Sequence, residues 1–208
     1  MISKKQYIFI IILAISLGVL TAIWQISFWV TALMISLSVT LIVYAPFVWY
    51  MYFSKDAGKI GYYIEQRTKQ PILQFYSSLA NSDEEQASEA LHLLKKKYKS
   101  PNMTAIFTVA YAAHQNRLSA VKEDILMIKD PSVRNYYEAL LKIEEGDWSE
   151  AEEMSSTLTK PWMRESVKAS LLHEKGMPGQ AHAHEERAIE LTNGMQRYLL
   201  VKKYNTLS

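Results

Sequence analysis

Apolar residues run almost unbroken from Tyr7 to Phe53, then thin to a helical rhythm that recurs every 30 residues. The stretch from Gln6 to Ser54 holds 49 residues without Asp, Glu, Lys, Arg or His. One helix needs about 20 apolar residues to cross a bilayer. The run therefore predicts two transmembrane helices, near Tyr7–Trp24 and Phe28–Phe53, parted at the polar Gln25-Ile26-Ser27. Backbone groups in hydrocarbon have no water to bond, which leaves helix as the conformation for both. Pro46 removes a hydrogen bond from the second. Tyr44, Trp49, Tyr50 and Tyr52 cluster around it, as aromatic rings do at a membrane–water boundary.

Beyond the apolar run, Pro71, Pro101, Pro131 and Pro161 open four gapless blocks that end at Glu190. Other columns agree. The ninth holds Leu79, Val109, Ala139 and Ala169; the twenty-first holds Leu91, Val121, Ala151 and Ala181; the twenty-eighth holds Tyr98, Ile128, Leu158 and Ala188. The sixteenth holds Gln86, Asn116, Gly146 and Gly176, where a turn is expected because Asn and Gly tolerate a left-handed backbone. Proline fits the first turn of a helix, where its missing N–H would be unpaired anyway. Each block reads as helix, turn, helix, with two helices of about twelve residues, about 18 Å each. A single pair leaves its apolar face open, and stacking buries it.

The predicted fold is all-α: two N-terminal transmembrane helices, an α-solenoid of about four such pairs, and a capping helix over Met195–Tyr204 after the stop at Asn193-Gly194. Residues 1–54 form the transmembrane hairpin, 55–70 a juxtamembrane linker weakened by Gly58 and Gly61, and 71–208 the repeat domain. Tyr62, Tyr63 and Ile64 in the linker face either the headgroups or the first repeat.

Gly146-Asp147-Trp148-Ser149-Glu150-Ala151 resembles the turn and second-helix start of a tetratricopeptide repeat, and Gly176 with Ala181 and Ala188 resembles it again one block later. The 30-residue period is shorter than the usual 34 of that family. The first helices also lack its Trp, Leu and Tyr pattern. Another α-solenoid is the alternative. The resemblance implies a module that binds a protein or peptide partner along an inner groove lined by first helices. By position in the block, the groove candidates are Tyr76, Met103, Ile106, Val133, Tyr136 and Met163, with Arg134 and Arg164 placed to hold a partner carboxylate. Core packing between repeats is the competing reading of the same stripe.

Charge sets orientation. Lys4 and Lys5 precede the first span, Lys55 and Lys59 follow the second, and the connecting turn is uncharged. Both termini are thus expected in the cytoplasm, with the chain in the cell membrane. A cleaved signal peptide over the first span is the alternative. From Pro71 onward the chain carries a net charge of −2, which gives nucleic acid no electrostatic footprint. The chain has no cysteine, so disulfides, thiolate metal sites and cysteine nucleophiles are absent.

The remaining chemistry is sparse. His182 and His184 are two apart, which points them to different faces of a helix and disfavours one shared metal ion. Gly176-Met177-Pro178-Gly179 is followed by no phosphate-binding lysine. Glu84-Glu85, Glu144-Glu145 and Glu152-Glu153 are adjacent on helices and do not form paired acids and bases. No catalytic residue, metal site or cofactor is expected. The function expected is a membrane-anchored adaptor for a protein partner. The alternatives are an accessory subunit recognised through its transmembrane helices and, more remotely, an enzyme or metal-binding protein.

Overall fold

The computed structural model describes residues 4–67 and 69–205 and divides into two compact units, Met1–Phe53 and Ser54–Ser208. Residues 1–3, 68 and 206–208, at the ends of the predicted anchor and array and within the predicted linker, lie outside the described residues. All regular structure among the described residues is helical.

In the first unit, α1 (Lys4–Ile23) and α2 (Phe28–Val48) pack as a hairpin. The chain turns at the predicted polar break. Gln25 takes a left-handed backbone, φ 52°, and the Ile26 N–H bonds back to the Thr21 carbonyl at 2.9 Å. Pro46 sits near the end of α2, and the helix then widens into a π turn over Trp49–Phe53. The missing proline N–H and the ring's clash with the preceding turn upset the regular ladder. The Trp49 N–H is shared between the carbonyls of Ala45 and Pro46. The continuous 26-residue helix Phe28–Phe53 is long and apolar enough to cross a bilayer. The apolar part of α1, Tyr7–Ile23, is shorter, so length and composition qualify one helix of the predicted two.

The second unit begins with a helix where a linker was expected. Asp56 caps α3 (Ala57–Glu65) by accepting from the Lys59 N–H at 3.0 Å. Ile60, Tyr63 and Ile64 are buried, and Tyr62 faces outward. Gly61 does not interrupt this helix. It makes room for Tyr198, since a Cβ there would stand 2.8 Å from the Tyr198 ring.

The four blocks fold as helical pairs: α4 (Pro71–Ala80) with α5 (Glu84–Lys97), α6 (Pro101–His114) with a 3-10 turn (Leu118–Val121) and α7 (Lys122–Leu126), α8 (Pro131–Glu144) with α9 (Trp148–Thr157), and α10 (Pro161–Glu174) with α11 (Pro178–Glu190). Each repeat proline occupies the first turn of its helix. Asp83, Asp130 and Asp147 cap α5, α8 and α9 through their carboxylates, each such cap being worth about 1 kcal/mol. Every residue of the ninth column is buried. Asn116, Gly146 and Gly176 of the sixteenth column take left-handed backbones, φ 52°, 80° and 71°.

Two details depart from the regular block. In the first pair the left-handed residue is Ser82, φ 54°, and Gln86 lies inside α5, so the first helix is short and the second long. In the second pair the second helix breaks into the 3-10 turn and the five-residue α7. Glu144 of the next pair bonds this break, accepting from the Leu118 N–H at 2.7 Å, the Ser119 N–H at 3.0 Å and the Ser119 hydroxyl.

The core is continuous along the pairs. Phe75, Leu91, Leu94 and Phe107 fill the space between the first two, Val109, Ile125, Ile128 and Leu141 the next, and Ala139, Ile143, Leu158 and Val167 the last. Val133, Tyr137 and Leu140 pack against two of these clusters and join them. The final helix, α12 (Gly194–Asn205), packs on α3, α4 and α11. The predicted capping helix thus touches both the first and the last pair.

Candidate functional site

The structure assigns most of the predicted groove residues to the core. Tyr136 and Met163 are 9% and 3% exposed and sit in the cluster between the third and fourth pairs. Their side chains point at the neighbouring repeat and are closed to a partner, which corrects their placement in an open groove. Tyr76 and Met103 are half-buried against Phe75 and Phe107, with the Tyr76 and Phe75 rings 5.3 Å apart. Ile106 and Val133 are half-buried in the middle cluster. Arg134 stays partly exposed, 3.9 Å from Glu138 on its own helix. Arg164 is half-buried on α10. Of the eight, Tyr136 and Met163 are buried and the other six are partly exposed.

Among the first helices, α12 packs on α4 and reaches α10. The sixth column reads Tyr76, Ile106, Tyr136 and then Ser166. The small fourth member leaves a space that Tyr204 of α12 enters. Tyr204 donates to the Ser166 hydroxyl oxygen at 2.9 Å, and that oxygen shares a second hydrogen bond of 3.1 Å with the Tyr136 hydroxyl. Ser166 is fully buried. Burial raises the Tyr136, Tyr137 and Tyr204 hydroxyls well above the ordinary tyrosine range. They hold their protons and act as neutral hydrogen-bonding groups. The drop from large residues to Ser166 in column six is the sequence signal for this insertion.

Beside this contact lies a carboxylate–imidazole network that links the last two helices of the array. Glu185 is buried. Its two oxygens meet His173 Nε2 at 2.6 Å and His182 Nδ1 at 3.3 Å, while Glu165 meets His184 Nδ1 at 2.6 Å. His182 and His184 thus engage different carboxylates, as their spacing predicted. No group of three His, Asp or Glu among the described residues converges as a metal site. Crowding lowers the Lys203 ammonium below the ordinary lysine range, with Glu185 opposing the shift, and Lys203 keeps solvent contact. The network ties α10 to α11 through two cross-helix contacts, His173 with the buried Glu185 and His184 with Glu165.

The N-terminal end of α12 is anchored equally firmly. The Gly194 N–H donates to the Ser54 carbonyl at 2.7 Å and the Arg197 Nε to the Lys55 carbonyl at 2.7 Å. Lys202 Nζ donates to Asn81 Oδ1 at 2.9 Å in the turn of the first pair. The exposed large apolar side chains of the second unit are Trp148 and Met177 at corresponding turns of the third and fourth pairs, Leu126 and Met127 at the end of α7, Leu93 on α5, Leu191 at the end of α11 and Tyr62 on α3.

No family model matches this chain, and no curated protein or solved structure matches it significantly.

Proposed function

We propose that this chain is a membrane-anchored, tetratricopeptide-like scaffold that holds a protein or peptide partner at the cytoplasmic face of the cell membrane, with no catalysis of its own. The observation that carries this reading is the join of two things in one chain: an apolar helix, Phe28–Phe53, able to cross a bilayer, and a stack of helical pairs in a 30-residue register. Stacked pairs present long, rigid surfaces of the kind used to hold other chains. The anchor is read as a two-span hairpin with both ends in the cytoplasm. The apolar part of α1 has 17 residues, at the lower bound of about 17 for a crossing helix, and the basic flanks stand on the same side.

Tyr136 and Met163 are buried and α12 packs on α4 and α10, so the docking surface of this reading is the pair of turns that carries the exposed Trp148 and Met177. Trp148 combines an apolar ring with a polar edge, the chemistry that concentrates binding energy at interfaces.

The test places photoreactive side chains at Trp148 and Met177 in living cells. One dominant protein adduct, lost when Trp148→Ala is added to the Met177 probe, is the expected result. Adducts to lipid or to this chain alone overturn the reading. Exchanging residues 1–53 for an unrelated anchor separates it from a subunit recognised through its membrane helices. The adduct survives the exchange under the scaffold reading and disappears under the other.

A further inference from the structure

We infer that the outward face of α3 is a docking surface for anionic lipid headgroups. The sequence leaves Tyr62, Tyr63 and Ile64 between two environments, and the structure divides them. Tyr63 and Ile64 are buried against the array, while Tyr62 is 68% exposed in the middle of the opposite face. Lys59, Glu65 and Gln66 flank it at helical spacing, and all three are exposed.

The charge of this segment suits the same occupant. Between Ser54 and Gln70 four cations, Lys55, Lys59, Arg67 and Lys69, stand against two anions, Asp56 and Glu65. Asp56 is engaged as the cap of α3, with Lys59 Nζ 3.1 Å away. Arg67 stacks 3.7 Å over the Tyr63 ring and braces the far end of the helix. Lys55 and Lys69 are exposed at its two ends. Basic residues next to a membrane helix are drawn to anionic headgroups, and a tyrosine ring suits the headgroup layer because one end is apolar and the other wet.

Covalent reach supplies the third argument. Only Ser54, Lys55 and Asp56 separate the aromatic end of the apolar helix, Phe53, from Ala57. A link of this length extends to about 14 Å. Any bilayer that holds Phe28–Phe53 therefore keeps the start of α3 within reach of its surface. The occupant is a lipid surface of negative charge.

The absence of native cysteine makes the test direct. In the full chain, Tyr62→Cys carries an environment-sensitive fluorophore, and Leu126→Cys, on α7, carries the same probe as reference. Each protein is reconstituted in nanodiscs of phosphatidylcholine alone or with phosphatidylglycerol. The expected result is a blue shift at position 62 in the anionic discs. Headgroup nitroxides quench it, and it shrinks in high salt and in Lys55→Glu/Lys59→Glu/Lys69→Glu; position 126 stays unchanged. Circular dichroism confirms that the triple variant keeps its helix content. Aqueous emission at position 62 in both discs overturns the inference. So does a shift equal in both discs and indifferent to salt, or one that grows with protein concentration in detergent, which assigns the face to a second copy.

Discussion

Tyr204 donates a 2.9 Å hydrogen bond to Ser166, 38 positions earlier in the chain. Through it the last helix enters a place left open by the smallest member of a repeat column. Removing only the hydroxyl, Tyr204→Phe, is expected to cost about 1 kcal/mol. Removing the ring, Tyr204→Ala, opens a cavity and is expected to cost about 3–5 kcal/mol. Urea unfolding of the full chain in detergent measures both. Equal losses from the two variants would show that the ring contributes nothing to closure.

Two glycines of α3 are expected to respond in opposite directions to alanine. At Gly61 the added Cβ would meet the Tyr198 ring at 2.8 Å, and Tyr198 is buried. Gly61→Ala is expected to destabilise by about 1–3 kcal/mol. At Gly58 the nearest atom is Asp56 Oδ1 at 3.4 Å, an ordinary contact. Gly58→Ala is expected to stabilise by about 0.5–1 kcal/mol through the unfolded-state entropy that glycine carries. Paired thermal melts decide the sign of each.

The turn glycines carry a backbone requirement and no steric one. Gly146 and Gly176 have φ of 80° and 71°, with nothing within 4 Å of an added Cβ. Alanine at either is expected to cost about 1–2 kcal/mol from the left-handed conformation alone. Asn at either position should recover part of the loss, as Asn116 holds the equivalent turn with φ 52°. Unfolding midpoints of Gly146→Ala and Gly146→Asn measure the difference.

Glu144 gives the array an acid-sensitive joint. Burial opposes its charge, but the Ser119 hydroxyl and the N–H groups of Ser119 and Leu118 outweigh burial and hold its carboxyl below the ordinary 4.5. A carboxyl lowered in the folded state stabilises it above the unfolded value. That contribution fades as pH falls through the lower, folded value. Glu144→Gln is therefore expected to be less stable than the parent at neutral pH, with the two converging below pH 4.5. Urea midpoints across that range give the slope, and a constant difference down to strong acid would contradict it.

Much of the fold was legible because its signals are local. A proline in the first turn, an apolar column and a left-handed Asn or Gly each act within one block, so the four pairs follow from the period. The first turn was misplaced because Gln86 kept the column while the chain turned earlier, at Ser82, just before the Asp83 cap. For Tyr136 and Met163 the sequence left groove and core both open, because periodicity marks one face as apolar without saying what covers it. Helix α12 is held by pairs far apart in sequence, such as Arg197 with Lys55 and Lys202 with Asn81. No local pattern encodes such pairs. Helix α3 was obscured for a related reason: Gly61 weakens a helix in isolation, and its value appears only once Tyr198 lies against it.

The fastening of α12 at Ser54 and Lys55 also sets how the molecule bears load. The bonds from Gly194 and Arg197 reach the first residues after the apolar helix. Tension applied between Ser54 and the start of the last helix falls first on these two bonds and not on the four pairs. The chain between those points carries no pull while this clasp holds, and the pairs are drawn into the load path once it opens.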